Sequence, residues 1–345
     1  MTRSWNSGGA AAAACVLGAC LIGSCGAAQA QVAVSPDIVT QRFWTPTPPL
    51  SAYAGPLSPR AGFADLGAGW SVFGGVYRGH GDTRTDNAVA DGDFTSRGYV
   101  IGLAKRLSPN VTLALRGQHG DNEVNYRQNT ARQQTSTTEG IAVDVVVEDE
   151  RVVWRHTVSV ARDSFHERFD PNTAGDWNGT EWGYDTQANL RFRFGRLLVS
   201  PYIGFRWLAL SQDAFETPGL FFTQAFPAQR RASSQVRAGA DLRLSVFTAG
   251  PVELIGVAGG GAGVVSNRHA PIATAADLTA MAGNSFTFDY ANAEPSRFPG
   301  SVAYTANAGL ELRAADTVHV FVNAVTSRDP MLRWHAVEAG ARVLF

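Results

Sequence analysis

Arginine and carboxylate side chains recur at alternate positions along several segments of this sequence. Alternate positions of a β-strand share one face, so these charges would collect on one side of a sheet. An interior lined in this way would suit a pore for small, preferably anionic solutes or for an extended peptide. In the alternative interpretation, the charges pair with one another and fill the interior. The predicted lumen-lining residues are Arg116, Arg191, Arg193, Arg206, Arg237, Asp241, Arg243, Glu311, Arg313, Glu338 and Arg342, with Asp144, Glu148 and Asp185 on the same face.

The sequence offers little for catalysis or for metal binding. No His-x-x-x-His or His-Glu-x-x-His spacing joins the seven histidines, so we predict no metal site. A Gly-x-Ser-x-Gly elbow and a phosphate-binding glycine loop are also missing from the sequence. Ser164 and His166 lie close together, but a Ser–His site would need further residues that the sequence does not pair with them. We interpret His166 as a solvated histidine and predict no catalytic residue and no cofactor.

Composition narrows the class of protein. Charged residues make up 17% of the 345 residues, below the roughly 25% of soluble domains. The formal net charge of -1 gives no argument for nucleic-acid binding. Mean hydropathy is -0.09, and the one long apolar run lies at the N-terminus, which excludes a bundle of membrane helices. Membrane strands remain compatible, because alternation dilutes their hydrophobicity.

Residues 1–30 have the features of a secretory signal peptide. An arginine precedes a small and apolar stretch, and Ala-Gln-Ala at 28–30 gives the small-x-small cleavage pattern. An uncleaved anchor helix is one alternative. Lipidation at Cys20 or Cys25 is another, because both follow lipobox-like residues. With Cys15 these are the only cysteines, so the mature chain would have no disulfide and no cysteine nucleophile.

Residues 31–69 are rich in proline, which blocks both helices and strand ladders. We expect an extended leader here. It would lie in the periplasm as a flexible tail, or it would enter the interior of the following domain.

Twelve runs with strand character follow, and turn signals separate them. One face of the run at 236–246 is Val, Ala, Ala, Leu, Leu and Val, while Arg237, Asp241 and Arg243 occupy the other. The predicted strands are residues 70–79, 94–107, 110–122, 138–149, 151–163, 182–194, 197–211, 232–246, 252–264, 302–313, 316–326 and 334–345.

The connections between these strands alternate in length. Tight turns near residues 108, 149, 195, 250 and 315 alternate with long polar loops, of which the longest is 266–301. Short periplasmic turns and long outer loops are typical of outer-membrane barrels with an even number of strands. A charge facing lipid costs about 2–4 kcal/mol at mid-membrane, so the polar faces must point inward. The sequence therefore predicts an all-β fold, a twelve-stranded antiparallel transmembrane β-barrel over residues 70–345.

Aromatic residues lie near the ends of the predicted strands, as the interfacial girdles of a barrel would. We place one set at the periplasmic rim, which includes Phe345, and another at the outer rim. The predicted outer-rim residues are Tyr77, Phe94, Trp182, Tyr184, Tyr304 and Trp334.

Four segments, in their order along the chain, resemble the translocator barrel of bacterial autotransporters. Residues 98–102 read Gly-Tyr-Val-Ile-Gly, residues 197–206 read Leu-Leu-Val-Ser-Pro-Tyr-Ile-Gly-Phe-Arg, and residues 213–216 read Asp-Ala-Phe-Glu. The chain ends with His-Ala-Val-Glu-Ala-Gly-Ala-Arg-Val-Leu-Phe at 335–345. The resemblance implies that Phe345 is the terminal aromatic read by the barrel assembly machinery. It also implies a pore that a helix crosses while carrying a passenger outward, but residues 31–69 leave no room for a passenger.

We therefore expect a passenger-less barrel in the outer membrane of a Gram-negative bacterium, acting as a transport or translocation pore. Its partners would be outer-membrane lipid, the assembly machinery and a translocated peptide or small solute, with no nucleic acid. The alternative is a surface adhesion or interaction protein that acts through its long loops. Loop 266–301 carries Phe286, Phe288, Tyr290 and Phe298, which motivates this second hypothesis.

Overall fold

The computed structural model describes residues 69–83, 92–127, 133–170, 173–218, 222–226, 228–269, 275–280, 285–289, 301–315, 317–328 and 332–345. The predicted signal peptide and all but the last residue of the leader lie outside these ranges. No helix of the length and apolarity needed to cross a membrane occurs in the described ranges.

Twelve antiparallel strands close into a barrel, as predicted. Each barrel strand pairs with the next barrel strand along the chain, and the first pairs with the last. The barrel strands are β1 (Trp70–Thr83), β2 (Gly92–Ser108), β3 (Val111–Tyr126), β4 (Gln133–Glu148), β5 (Val152–Asp170), β6 (Thr173–Leu190), β8 (Leu197–Gln212), β11 (Gln229–Ala249), β12 (Val252–His269), β15 (Ser301–Ala314), β16 (Val318–Arg328) and β17 (Leu332–Leu344). A short strand, β7 (Phe192–Phe194), follows β6 and pairs with β8.

The two faces of the sheet have the reverse of a soluble protein's polarity. Ile101 and Leu310 point outward and are 60% and 55% exposed, whereas Arg116 and Asp144 point inward and are 2% and 1% exposed. An exposed apolar surface on nearly every strand requires an apolar solvent, and a lipid bilayer provides it. The inward parity read from the alternation is therefore the parity of the fold.

Short turns lie at one end of the barrel, together with the start of β1 and the end of β17. There the Phe345 amide donates to the Trp70 carbonyl at 3.0 Å, which joins the last residue to the start of β1. At the other end the strands run further than the sequence predicted. The predicted loop 163–181 is a continuous hairpin, because β5 extends to Asp170 and β6 begins at Thr173.

The connections before β11 and β15 form a second, four-stranded sheet instead of irregular loops. Its strands are β9 (Phe215–Pro218), β10 (Phe222–Phe226), β13 (Ala275–Ala280) and β14 (Ser285–Asp289), in the order β14-β13-β10-β9. Phe286 and Phe288 lie in β14, while Tyr290 and Phe298 lie outside the described residues.

Three of the aromatic residues predicted for the outer rim face the interior. Tyr77 points toward Gly98 and Gly120, Phe94 is 2% exposed and Trp334 is 1% exposed, whereas Trp182 and Tyr304 face outward at 51% and 59%. The prediction was wrong for Tyr77, Phe94 and Trp334 because it used their distance along the strand and ignored their parity. Phe94 shares the parity of inward-facing Val100, six residues further on in β2.

Glycines of β2 make room for aromatic side chains of β1. A Cβ at Gly102 would lie 2.2 Å from Cζ of Phe73, and one at Gly98 would lie 2.6 Å from the Tyr77 ring. Phe73 and Tyr77 are four residues apart, as are Gly98 and Gly102, so every second inward position repeats the same contact. This contact explains the Gly-Tyr-Val-Ile-Gly motif at 98–102 in physical terms.

Candidate functional site

The barrel interior contains a series of ion pairs, most of them toward the short turns. The first joins β3 to β4, where Arg116 Nε donates to Asp144 Oδ2 at 2.9 Å. Both side chains are 1% exposed. The Thr157 hydroxyl of β5 donates to the other carboxylate oxygen of Asp144. Three adjacent strands are thereby connected through one buried carboxylate.

A second group of charges centres on Asp185 of β6. Arg237 of β11 reaches across β8 and donates to both Asp185 oxygens, at 2.8 and 2.9 Å. Arg155 of β5 lies 3.9 Å from the same carboxylate. Arg237 also donates to the Gln187 side chain at 3.2 Å. The carboxylate thus lies between two guanidinium groups.

A third group centres on Glu311 of β15. Arg243 and Arg313 lie 3.3 and 3.1 Å from its carboxylate, and His319 lies 3.4 Å away. Arg313 also approaches Glu253 at 3.7 Å.

The remaining predicted lumen residues differ in their surroundings. Arg191 donates to Glu148 at 2.9 Å, and Arg342 donates to the Ser71 hydroxyl at 3.0 Å. Glu338 of β17 is 4% exposed and lies directly opposite Asn323 of the neighbouring strand β16.

Three further predicted lumen residues complete the set. Arg206 is half-buried between Asp185 and Gln235 in register, and Asp241 is half-buried on β11. Arg193 is exposed in β7, beside the short turn, so it lies outside the buried set.

Sequence reasoning missed an apolar cluster in the interior near the long-loop end. Its members come from eight barrel strands and from β9, so they line most of the circumference. Trp177 stacks on Phe165 and on Phe215, with ring centroids 5.5 and 4.3 Å apart. We call this set the outer cluster: Phe94, Val124, Tyr126, Phe165, Trp177, Phe215, Val265, Ala303, Val325, Trp334 and Ala336. Parity along each strand would have located most of these residues.

A smaller apolar set lies toward the short turns. It is formed by Phe73, Val100, Ala104, Ala114, Val146 and Phe321. Charged and apolar groups therefore share that half of the interior, and they share the other half too, where Asp163 and Glu167, both 0% exposed, flank Phe165 of the outer cluster along β5.

Ser164 and His166 lie outside the barrel, on the outward face of β5. His166 Nδ1 lies 2.6 Å from Asp176 Oδ1 of β6, whereas the Ser164 hydroxyl donates to Asn178 Oδ1 at 3.2 Å. Both are exposed beside a cavity of about 310 Å³ between β4, β5 and β6. His166 thus has a carboxylate that orients its ring, but the Ser164 hydroxyl is hydrogen-bonded to an amide and not to His166. In the described ranges no three histidine, cysteine or acidic side chains are grouped to hold a metal ion.

Comparisons with known proteins agree with this geometry. The family model described as the autotransporter β-domain matches residues 72–325. No curated protein matches the chain significantly. Three solved structures share the fold at low identity. The NalP translocator domain of Neisseria meningitidis has a TM-score of 0.65 at 12% identity, covering 89% of this chain and 97% of its own.

The other two are the β-domain of Bordetella BrkA and the transport unit of Escherichia coli AIDA-I. Their TM-scores are 0.59 and 0.50, at 10% and 12% identity. They cover 80% and 86% of this chain, and 100% and 97% of their own. At such identity the likeness shows the fold alone: a closed antiparallel barrel of the bacterial outer membrane.

Proposed function

Because this chain belongs to the autotransporter β-domain family, we propose that its barrel is a transport or translocation pore. The interior charge carries the proposal. Arg155 and Arg237 flank one carboxylate, and Arg243 and Arg313 flank another. Guanidinium groups held in pairs around a carboxylate offer further N–H donors to an anionic solute or to the backbone carbonyls of an extended peptide.

The proposed pore is closed at rest. The buried Arg116–Asp144 pair and the outer cluster are shielded from solvent, whereas the lining of a wide aqueous channel would be exposed. Passage of cargo would then require the outer cluster to separate. The leader at residues 31–69 is a second proposed obstacle, entering the lumen from the periplasmic side.

Conductance across planar bilayers tests this proposal. We expect small, infrequent openings for the full-length mature barrel and larger conductance after deletion of residues 31–69, with a preference for anions. Heat-modifiability on a gel would verify that both proteins are folded barrels. A leader deletion that folds but conducts no more than the parent protein would contradict a leader-occluded pore.

We also propose that Phe345 is read by the assembly machinery during insertion into the outer membrane. Its side chain is 61% exposed at the short-turn rim, so it is accessible to another protein. Deleting Phe345 should reduce the heat-modifiable form in outer-membrane fractions. Leu107→Ala is the control, because Leu107 is also a large apolar residue exposed beside a short turn.

The second sheet favours an alternative function, surface adhesion. Its four strands are built from the two connections before β11 and β15, at the end that faces outward. A folded sheet on the cell surface is a suitable platform for a partner. Removing the β13–β14 hairpin should abolish adhesion and leave barrel heat-modifiability unchanged. Unchanged adhesion would rule out this alternative.

We propose that the barrel is not an enzyme, in keeping with the engagement of Ser164 by Asn178. Purified protein should hydrolyse neither lipid ester nor peptide substrates above the level of a His166→Ala variant. Activity lost in that variant would contradict this proposal.

A further inference from the structure

Two arginines face each other on the outer surface of the barrel, across the β1–β2 ladder. Arg78 and Arg97 are direct partners in the strand register, and both side chains point outward. Both are exposed, and the Arg97 side chain is 75% accessible. Like charges directly opposite each other destabilise a strand pair. An anion bound between the two guanidinium groups would offset this repulsion.

Carboxylates of the protein neutralise this pair only in part. Arg97 Nε lies 3.4 Å from Asp121 Oδ2, at the limit of hydrogen bonding, and Asp121 is shared with the Thr137 hydroxyl. Among the described strands, the cross-strand neighbours of Arg78 are Arg97 and Val337, neither of which is acidic.

The height of the pair on the barrel indicates what kind of anion it meets. The next outward residues toward the short turns are Val76 and Tyr99, which are 59% and 51% exposed. They belong to the apolar band that contacts lipid tails, with Tyr99 in the position of a girdle aromatic. Arg78 and Arg97 therefore lie one step outside the apolar band, at the level of the outer-leaflet headgroups.

The neighbouring outward positions on the β17 side are also basic. His80 and His335 are direct partners, with ring centroids 5.6 Å apart. Beyond them Arg333 of β17 pairs in register with Arg328 of β16. On the same outer surface, the adjoining strands β3 and β4 carry Glu123 and Glu139. The outward residues around Arg78 and Arg97 are therefore mainly basic toward β17 and β16, with Asp82 opposite Arg333, and acidic toward β3 and β4.

We propose that Arg78 and Arg97 together bind a phosphate group of a phosphorylated glycolipid in the outer leaflet. Two planar guanidinium groups offer parallel N–H donors that match phosphate oxygens, and the anion cancels the repulsion between them. His80 and His335 lie next to the bound headgroup. This inference does not depend on the proposed pore, because it concerns the opposite face of the same strands.

The test measures binding of bisphosphorylated lipid A to the detergent-solubilised barrel by native mass spectrometry. A basic residue at an anionic lipid surface contributes about fivefold in affinity, so Arg78→Gln and Arg97→Gln should each weaken binding about fivefold and the double variant about thirtyfold. A double arginine-to-lysine variant keeps the charge and loses the paired donors, so we expect an intermediate affinity.

Arg162→Gln is the matched control, because Arg162 is exposed and outward-facing on β5, away from this surface. Its affinity should equal that of wild type, and heat-modifiability should be the same for all variants. Wild-type affinity in the folded double variant would overturn the proposal. So would equal binding of lipid A from which a phosphatase has removed the phosphates. Displacement of the lipid by inorganic phosphate at similar concentrations would show a free-anion site and overturn the lipid assignment.

Discussion

At the scale of single residues, the same kind of ion pair has two different roles in this barrel. Arg116 and Asp144 form a pair that is 1% exposed in the interior, whereas Arg127 and Asp93 form one on the solvent-exposed ends of β2 and β3. Removing one member of a buried pair leaves an uncompensated charge, which costs about 3–5 kcal/mol. An exposed pair contributes about 0–1 kcal/mol, because water screens it.

We therefore expect Asp144→Asn to lower the free energy of unfolding by about 3–5 kcal/mol. The measurement is urea unfolding of the refolded barrel, followed by tryptophan fluorescence. The double variant Arg116→Met/Asp144→Leu removes both charges and should recover most of the loss. A loss below about 1 kcal/mol for Asp144→Asn would mean that water reaches Arg116.

Asp93→Asn is the exposed counterpart, and its effect should depend on pH. Hydrogen bonding to Arg127 lowers the pKa of Asp93 in the folded protein. A lowered folded-state pKa gives stability that is present above the unfolded pKa and lost as pH falls through the folded pKa. The wild type should thus be slightly more stable than Asp93→Asn at pH 7. The difference should begin to shrink as pH falls below about 4 and vanish once pH is below the lowered pKa of Asp93.

The sequence predicted which residues point inward but not which of them pair. Parity placed Arg237 and Asp185 on one face, yet they lie 52 residues apart and on strands separated by β8. Such a contact depends on the register of three strands and on the curvature of the barrel, neither of which a single strand encodes.

At the scale of elements, packing between β1 and β2 depends on glycine at two inward positions. Gly98→Ala would place a methyl group 2.2 Å from the His119 carbonyl oxygen and 2.6 Å from the Tyr77 ring. Overpacking of this kind costs about 1–3 kcal/mol. Unfolding in urea should show that loss for Gly98→Ala. Gly117→Ala should show no such loss, because the atom nearest to its added methyl group is 4.0 Å away. Equal effects of the two substitutions would show that backbone flexibility, and not the close approach, decides the cost.

All twelve strands were predictable because lipid on one side and a polar interior on the other impose a strict alternation. Their outer ends were not, since beyond the apolar band the outward face becomes polar while the inward face mixes apolar and charged residues, and the alternation fades. In β5, Ser164 and His166 face solvent as hydrophilic residues, so the sequence there resembles a loop although the ladder continues to Asp170.

At the scale of the whole molecule, the outer cluster separates the interior from the cell surface. Trp334 is among its largest members and is 1% exposed. Trp334→Ala should raise the frequency of channel opening in planar bilayers and lower stability by about 3–5 kcal/mol. Tyr304→Ala, on the lipid-facing side, should leave channel opening unchanged. A silent Trp334→Ala barrel that is correctly folded would show that the seal lies elsewhere.

The pairing of β1 with β17 affects how the barrel folds. Arg342 donates to Ser71 across 271 positions of sequence, so this contact forms only when almost all of the chain is present. Until then both outermost strands have unpaired backbone groups, which invite misassociation with other chains. Contacts this distant also slow folding, because the loop-closure entropy is lost before any pairing compensates for it. A circular permutant that links residue 345 to residue 70 and opens the chain between β1 and β2 would make this contact local, but it would turn the β1–β2 pairing into the most distant one. It should therefore reach the same closed sheet at about the natural rate, and much faster folding would show that the β1–β17 pairing in particular limits closure.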